Sequence, residues 1–260
     1  MLQLSRRAFL LGALAPGLPR ISSAQAEEIR VICSGGFTAA YRILAPRFEQ
    51  ITGRKVVSAY GASMGNAPDA IPQRLARGEP TDIIILARSA LDDFAARGVV
   101  QPASRVDLAT SRIGIAVRAG AHKPDISTVD TLRLALLAAS SIAYSASASG
   151  VYVSTELYKK LGIEAEMMPK SRRILSERVA AVVARGEVEM GFQQISEILE
   201  VPGAELIGPL PDEVQQITKF SAGVLTNARQ GEAAAALIRF LASPDAAETV
   251  TSTGLDPIRR

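Results

Sequence analysis

The sequence predicts an α/β fold that is built largely on parallel strands. Apolar runs, such as 29–33 and 81–86, alternate along the chain with amphipathic segments of helical period. The run at 81–86 ends in consecutive branched residues, which is typical of a strand that is buried on both faces of a parallel sheet. Turns rich in glycine and serine follow several of these strands. This order predicts β-α-β units.

Several predicted helices have a local signal at one end, either a polar residue that can cap the start or a glycine or proline that follows the last turn. Thr38 is predicted to open the first helix, and Ser89 and Ser176 are predicted to cap two later ones. Strands are predicted at 29–33, 55–60, 81–86, 113–117, 141–144, 188–193, 206–211 and 220–225. Helices are predicted at 38–53, 67–77, 89–98, 128–138, 151–161, 176–185, 233–241 and 244–252.

The N-terminus reads as a targeting segment. Arg6 and Arg7 precede a short apolar run, and small residues at 24–26 suit cleavage before Glu27. Residues 1–26 are therefore predicted to be a twin-arginine signal peptide, and the mature protein is predicted to be periplasmic. The alternative is a disordered basic N-terminus. The apolar run is too short to span a bilayer, so no stable membrane insertion is expected.

The charge balance argues against nucleic acid as a partner. Residues 1–26 contain three arginines and no acid, so the rest of the chain has 26 basic and 26 acidic residues. No basic stripe with interleaved aromatic residues remains. Cys33 is the only cysteine, lies in a predicted strand and reads as structural, and His122 is the only histidine. A catalytic triad or a histidine-rich metal site is thereby disfavoured, and no metal or organic cofactor is assigned.

The turn after the first strand has the pattern of an anion site. Ser34, Gly35 and Gly36 join that strand to a helix, and the first turn of a helix has unpaired N–H groups and partial positive charge. The two glycines allow a ligand to approach the backbone. The motif is neither a phosphate-binding P-loop nor a dinucleotide loop. The alternative is an ordinary strand-to-helix turn.

Six stretches along the chain share the motifs of one protein family. They are 36–40, 60–63, 77–85, 149–152, 185–191 and 240–246. Their order and spacing resemble the type II periplasmic solute-binding proteins, and most of all their molybdate-binding branch. The resemblance implies two α/β lobes joined by two crossover strands, with the ligand in the cleft between them. It places lobe 1 at 27–112 and 222–260 and lobe 2 at 113–221, with hinges near 112/113 and 221/222.

The resemblance and the strand ends together suggest a set of ligand-binding residues. Ligands of α/β sheets bind at the carboxyl ends of the strands, where hydroxyl and N–H donors would suit an oxyanion or a carboxylate. For each serine, the alternative is a helix cap. The predicted ligand-binding residues are Ser34, Gly35, Gly36, Phe37, Ser63, Arg88, Ser149, Gly150, Ser176 and Gln194.

Three positions depart from the pattern of the molybdate binders that the chain resembles. Gly36 stands in place of a serine, Gln194 lies near the position of a tyrosine, and Arg88 follows a strand where an acidic residue is usual. An arginine at the mouth of the cleft would favour a carboxylate ligand, as would Arg172 and Arg173. The alternative for all three arginines is a solvated surface position. The expected ligand is therefore molybdate, tungstate or a di- or tricarboxylate.

The resulting prediction is a binding protein that delivers a small anion to an ABC permease without chemistry. An alternative is an enzyme, because 191–194, 210–215 and 218–223 resemble a sub-branch that includes a periplasmic aconitate isomerase. The isomerisation of aconitate moves an allylic proton, which requires a base and groups that stabilise the developing negative charge. Tyr144, Glu197 and Lys219 are the candidate bases, and a helix-surface acid is the alternative for Glu197. A receptor-docking sensor is a further class that the sequence leaves open.

Overall fold

The computed structural model describes residues 28–258, which form two β-sheets with helices packed around them. The predicted signal peptide lies outside the described residues. The strands are β1 Ile29–Ser34, β2 Val56–Gly61, β3 Ile83–Ala87, β4 Val106–Ser111, β5 Ile113–Arg118, β6 Ile142–Ser145, β7 Ser171–Ile174, β8 Met190–Gln194, β9 Ala204–Pro209, β10 Thr218–Val224 and β11 Asp256–Pro257.

The two sheets define two lobes, as predicted from the resemblance. Lobe 1 contains the sheet of order β11-β4-β10-β3-β1-β2, and lobe 2 contains the sheet of order β7-β6-β8-β5-β9. Strand β1 is parallel to β2 and β3, and β6 is parallel to β7 and β8. The strands that carry the chain between the lobes run antiparallel to their neighbours, so both sheets are mixed.

The helices surround these sheets. Their bounds are α1 Gly35–Thr52, α2 Ile71–Ala76, α3 Arg88–Ala96, α4 Val129–Ala138, α5 Ala148–Tyr152, α6 Tyr158–Lys160, α7 Glu164–Met167, α8 Val179–Ala184, α9 Ile195–Ile198, α10 Gly231–Leu241 and α11 Pro244–Ser252. A π-helical turn, Val153–Leu157, joins α5 to α6.

Each lobe has its own apolar core. Strand β3 is buried along its whole length, as its branched residues predicted. In lobe 1, Phe37 and Tyr41 of α1 pack against the sheet that contains β3. In lobe 2, Tyr158 packs edge to face against Phe192. Cys33 is fully buried in β1, and burial raises the pKa of its thiol, which fits a structural cysteine. Across residues 28–258, no helix is long and apolar enough to cross a membrane.

The chain crosses between the sheets at two places. It passes from β4 to β5 at Arg112, whose guanidinium pairs with Asp212. It returns between β9 and β10, because Thr218 already pairs with Ser111 of the first sheet. Strand β10 therefore begins before the predicted boundary at 221/222. The lobe boundaries themselves remain predictions.

The helix starts predicted from three polar residues were wrong, and the helices predicted at 67–77 and 151–161 begin at Ile71 and Ala148 instead. Helix α1 begins at Gly35, not at Thr38, whose hydroxyl donates to the Ser34 carbonyl one turn earlier. Helix α3 begins at Arg88, so Ser89 lies inside it and caps nothing. Helix α8 begins at Val179, and Ser176 lies in the preceding turn. In these places the helix boundary follows the end of a strand or the burial of an apolar face, and a nearby serine does not determine it.

Three strands were missed. Strand β4 contains Asp107 and two hydroxyl residues among its apolar residues, β7 is only four residues long and carries Arg172 and Arg173, and β11 is a two-residue strand that contains a proline. Strand β7 lies at the edge of its sheet, where one side of the strand faces solvent and charged residues are tolerated. Hydropathy patterns alone do not distinguish such an edge strand from a polar loop.

Candidate functional site between the lobes

A cavity of about 280 Å³ lies between the two lobes, at the carboxyl ends of the strands of both sheets. Because β1 and β2 are parallel, Ser34 and Gly61 end at the same edge of the first sheet. The second sheet contributes the ends of β6, β7 and β8 in the same way. The lining residues include Ser34, Gly35, Gly36, Arg42, Tyr60, Ser63, Ser145, Ser147, Ser149, Ser176, Arg178, Gln193, Gln194 and Glu197.

The structure brings most of the predicted ligand-binding residues to this cavity. They lie at the end of a strand or within a few residues after it, so the carboxyl ends of the strands in the two sheets bring them together. The predicted residues that line the cavity are Ser34, Gly35, Gly36, Ser63, Ser149, Ser176, Gln194 and, among the candidate bases, Glu197. That these residues contact a ligand remains a prediction.

The other predicted residues lie elsewhere. Phe37 is fully buried in the core of lobe 1, because it points from α1 to the sheet. Tyr144 packs in the core of lobe 2. Arg88 forms ion pairs with Asp92 and Asp107, and Lys219 also pairs with Asp107, at 3.3 Å.

Gly150 serves packing within lobe 2. A β-carbon at this position would overlap the backbone of Ser145, at the end of β6. Only glycine therefore allows α5 to approach the end of that strand so closely. This close approach carries the neighbouring Ser149 into the cavity wall.

The serine hydroxyls of the cavity have different roles. Ser63 Oγ accepts a hydrogen bond from the N–H of Ala87 at 3.0 Å and so fixes the loop after β2 against β3. Ser145 and Ser149 share a hydrogen bond of 3.2 Å. Ser34 Oγ is buried and has no hydrogen-bond partner in the described part of the chain. Because buried polar atoms are almost always paired, Ser34 Oγ marks a place where a ligand would supply the partner.

Helix α1 points its N-terminus at the cavity. It is 18 residues long, its N-cap Ser34 makes no side-chain hydrogen bond to the first turn, and that turn contains no acidic residue. Its first N–H groups and partial positive charge are therefore available to an anion. The acidic group that approaches this end comes from the other lobe. A β-carbon at Gly35 would overlap Oε1 of Glu197.

Glu197 lies on α9 and is partly buried at the cavity wall. Burial raises the pKa of its carboxyl group to about 7, and this effect outweighs the nearby positive charge of Arg178, which lowers the pKa. A group with this pKa is present as acid and as base in comparable amounts near neutral pH. It can therefore accept a proton and return it.

Gln194 presents a second unpaired polar atom. Its Nε2 donates to the Thr218 hydroxyl at 2.8 Å, while its Oε1 is buried without a partner among residues 28–258. The Thr218 hydroxyl can also donate, so the amide can turn and offer its NH₂ group to the cavity instead. Gln193 is engaged in the fold, because its Oε1 accepts from the N–H of Ala180 at 2.9 Å.

The cavity is closed on one side by contacts between the lobes. Ser196 of α9 donates a hydrogen bond to the Gly36 carbonyl at 2.7 Å. A β-carbon at Gly36 would overlap the ring of Phe220 on β10, which explains why glycine stands here where the molybdate binders resembled by the sequence have serine. The aromatic ring takes the space that a serine side chain would need.

Sequence reasoning missed two cavity residues that carry positive charge, Arg42 and Arg178. Arg42 follows Gly35 by two helical turns, so the helical period places both on the same side of α1. That spacing was the available signal. Arg178 lies in the turn before α8, and its position became apparent only with the strand β7 that precedes it.

In residues 28–258 no group of three or more His, Cys, Asp or Glu side chains is placed to hold a metal ion.

A two-lobe α/β fold with a polar pocket between its sheets defines the class of periplasmic solute-binding proteins. The chain belongs to the family of bacterial extracellular solute-binding proteins, whose family model matches residues 29–256. An aconitate isomerase of a Pseudomonas species is 45% identical over 249 residues, which is 95% of each chain. The molybdate-binding protein ModA of Azotobacter vinelandii is 26% identical over 253 residues, 94% of this chain and 96% of ModA.

The solved structures agree with this fold. The periplasmic molybdate-binding protein of Azotobacter vinelandii superposes with a TM-score of 0.72 at 18% identity, over 89% of this chain and 99% of that one. The substrate-binding domain of a molybdenum ABC transporter from Clostridium difficile gives a TM-score of 0.65 at 16% identity, with the same coverage. At these identities the likeness concerns the fold. The chain is thus a solute-binding protein by family and by architecture.

Proposed function

We propose that the protein binds aconitate between its lobes and interconverts the cis and trans isomers, with Glu197 as the residue that moves the proton. The observation that carries this proposal is the position of the Glu197 carboxyl group, at the cavity wall and against the N-terminus of α1. Its raised pKa and the relative named aconitate isomerase, 45% identical along nearly the whole chain, support the proposal.

The proposed reaction is an allylic proton transfer. The ionised Glu197 removes a proton from the methylene carbon of aconitate, and the C–H electron pair moves into the adjacent double bond and its carboxylate. The same carboxyl group, now protonated, returns the proton to the former vinyl carbon. The double bond has then shifted by one position and can form with the opposite geometry. Atoms and charge balance, and no oxidant or reductant is needed.

The surroundings of Glu197 suit both halves of this reaction. The first N–H groups of α1 and the unpaired Ser34 hydroxyl would stabilise the negative charge that collects on the substrate carboxylate. A base of pKa about 7 is stronger than an ordinary carboxylate and still ionises near neutral pH. Because the ionised form starts the reaction, kcat/KM should fall about tenfold per pH unit well below pH 7.

Proton NMR in deuterated water tests the proposal directly. Purified protein should convert cis-aconitate to the trans isomer, and deuterium should enter the vinyl and methylene positions whenever the protonated Glu197 exchanges with solvent before it returns the proton. Glu197→Gln should lower kcat at least 100-fold and still bind trans-aconitate in calorimetry, because Gln keeps the shape and removes the base. Glu166→Gln, on an exposed part of α7, is the matched control and should retain wild-type turnover. Wild-type protein that binds aconitate without isomerising it would refute the enzymatic proposal.

A second candidate function is capture without chemistry. The family and the two-lobe architecture favour a binding protein that passes a small anion to an ABC permease in the periplasm, after export by the twin-arginine signal predicted at 1–26. Molybdate or tungstate would then be an alternative ligand, as in the ModA relative. Calorimetry with molybdate, tungstate and aconitate separates these cases. Under capture alone, Glu197→Gln should bind aconitate at least as tightly as the wild type.

A further inference from the structure

Two arginines from different lobes share one carboxylate beside the cavity. Arg42 of α1 lies 3.7 Å from one oxygen of Glu200, and Arg178 of lobe 2 forms an ion pair with the other. Both arginines line the cavity. The three side chains therefore form a bridge between the lobes at the edge of the candidate site.

The Arg42 guanidinium is held in place by more than one contact. It stacks over the ring of Tyr60, 4.8 Å from the ring centroid, and that ring packs edge to face against Tyr41. A cation stacked on an aromatic ring loses little freedom when it binds an anion. Arg42 lies two turns along α1 from Gly35 and on the same side of the helix. Its positive charge and the N-terminal N–H groups therefore line the same cavity.

The carboxylate of Glu200 does not use all the N–H donors of Arg42 and Arg178. Each guanidinium has five N–H donors in a planar fork, and one carboxylate engages only some of them. Arg178 is about one quarter exposed, so donors remain available toward the cavity. A ligand carboxylate at this place would meet the two guanidinium groups, the carboxylate of Glu200 and, when it is ionised, the carboxylate of Glu197. The guanidinium N–H donors that Glu200 leaves unused would then hold the ligand.

We infer that Arg42 and Arg178 form a second carboxylate subsite, contributed by both lobes, which selects ligands with two or more carboxylates. The inference rests on the proposed function, since the first subsite is the N-terminus of α1 with Ser34 and Glu197. Glu200 is a positioning residue that holds the two guanidinium groups together across the lobes. A tricarboxylate offers a carboxylate to each subsite, whereas a tetrahedral oxyanion fills only one.

Calorimetry on matched variants tests this inference. Arg42→Gln and Arg178→Gln should each weaken trans-aconitate binding about 10- to 100-fold, the effect of losing a charge-assisted contact. Any binding of molybdate should change less than threefold. Arg42→Lys should recover only part of the loss, because it keeps the charge but lacks the fork. Arg47→Gln on the same helix and Arg118→Gln at the exposed end of β5 are the controls and should bind like the wild type.

The outcomes distinguish this inference from the proposed function. If wild-type protein binds no aconitate, the proposed function fails. If the wild type binds aconitate and both glutamine variants bind it equally well, the second subsite is refuted while the proposed function stands. An equal loss for aconitate and molybdate also refutes it, because that pattern reflects general positive charge. Under turnover, Arg42→Gln should raise KM more than it lowers kcat, since it removes a contact to a substrate carboxylate that does not take part in the proton transfer.

Discussion

The carboxylate of Glu197 lies directly against the backbone of Gly35, although the two residues belong to different lobes and are far apart in the sequence. This contact places an acid of raised pKa at the N-terminus of the longest helix of the lobe-1 core. A hydrogen bond from Ser196 to the carbonyl of Gly36 holds the same two segments together. The relationship therefore depends on the contact between α1 and α9.

Gly35→Ala tests whether this contact matters for function. The added methyl group would overlap Glu197 Oε1 and displace the carboxyl group, so activity should fall at least tenfold. Stability should change by less than about 1 kcal/mol, because the displaced atoms are the end of a flexible side chain. Gly231→Ala at the start of α10 is the matched control, since a β-carbon there meets open space. Enzyme assay and urea denaturation give the two readouts, and unchanged activity in Gly35→Ala would contradict the proposed role of the contact.

The raised pKa of Glu197 also predicts a pH-dependent stability. The folded state holds this proton up to about pH 7, whereas the unfolded chain releases it near 4.5. The folded state thus binds more protons in this window, and its stability falls as the pH rises through it. Glu197→Gln removes the effect and should be more stable than the wild type by about 1–3 kcal/mol at pH 8, and nearly equal to it at pH 4. Urea denaturation at both pH values measures the difference, and a constant difference would contradict the prediction.

Ser34→Ala should separate binding from folding. Because the Ser34 hydroxyl has no partner in the part of the chain that the structure describes, its removal should change the free energy of unfolding by less than about 0.5 kcal/mol. Ligand affinity should fall about 2- to 10-fold, as for one lost hydrogen bond. Ser63→Ala is the contrast, since its oxygen accepts from Ala87 and its loss should also lower the melting temperature. Equal effects of the two substitutions on stability would count against this reading of Ser34.

Gly150→Ala should act on the fold of lobe 2. Its β-carbon would overlap the backbone of Ser145, which cannot swing aside as a side chain can, so stability should fall by about 1–3 kcal/mol. Gly208→Ala is the control, because a β-carbon there makes an ordinary van der Waals contact of 3.8 Å with Ile126. The free energy of unfolding from urea titration is the measurement. A variant as stable as Gly208→Ala would contradict the close packing of α5 on β6.

The sequence by itself determined the α/β class, the strands with continuous apolar runs and the turn chemistry at the strand ends. These features depend on neighbouring residues only. Burial on both faces of β3 requires an unbroken apolar run. Thr128 and Thr131 form a capping box at the start of α4, in which each side chain hydrogen-bonds to the backbone N–H of the other residue. The sequence also predicted that Ser34, Ser63, Ser149 and Gln194 lie at one cavity, since residues at the ends of parallel strands meet at one edge of a sheet.

Only the tertiary structure decided which of the candidate residues meet. Glu197, Tyr144 and Lys219 were equivalent in the sequence, and packing placed one at the cavity, one in a core and one in an ion pair with Asp107. The pKa of Glu197 and the pairing of Arg42 with Glu200 depend on burial and on contacts between distant segments. Such quantities arise when the chain excludes water and brings the lobes together, and no local pattern of residues encodes them.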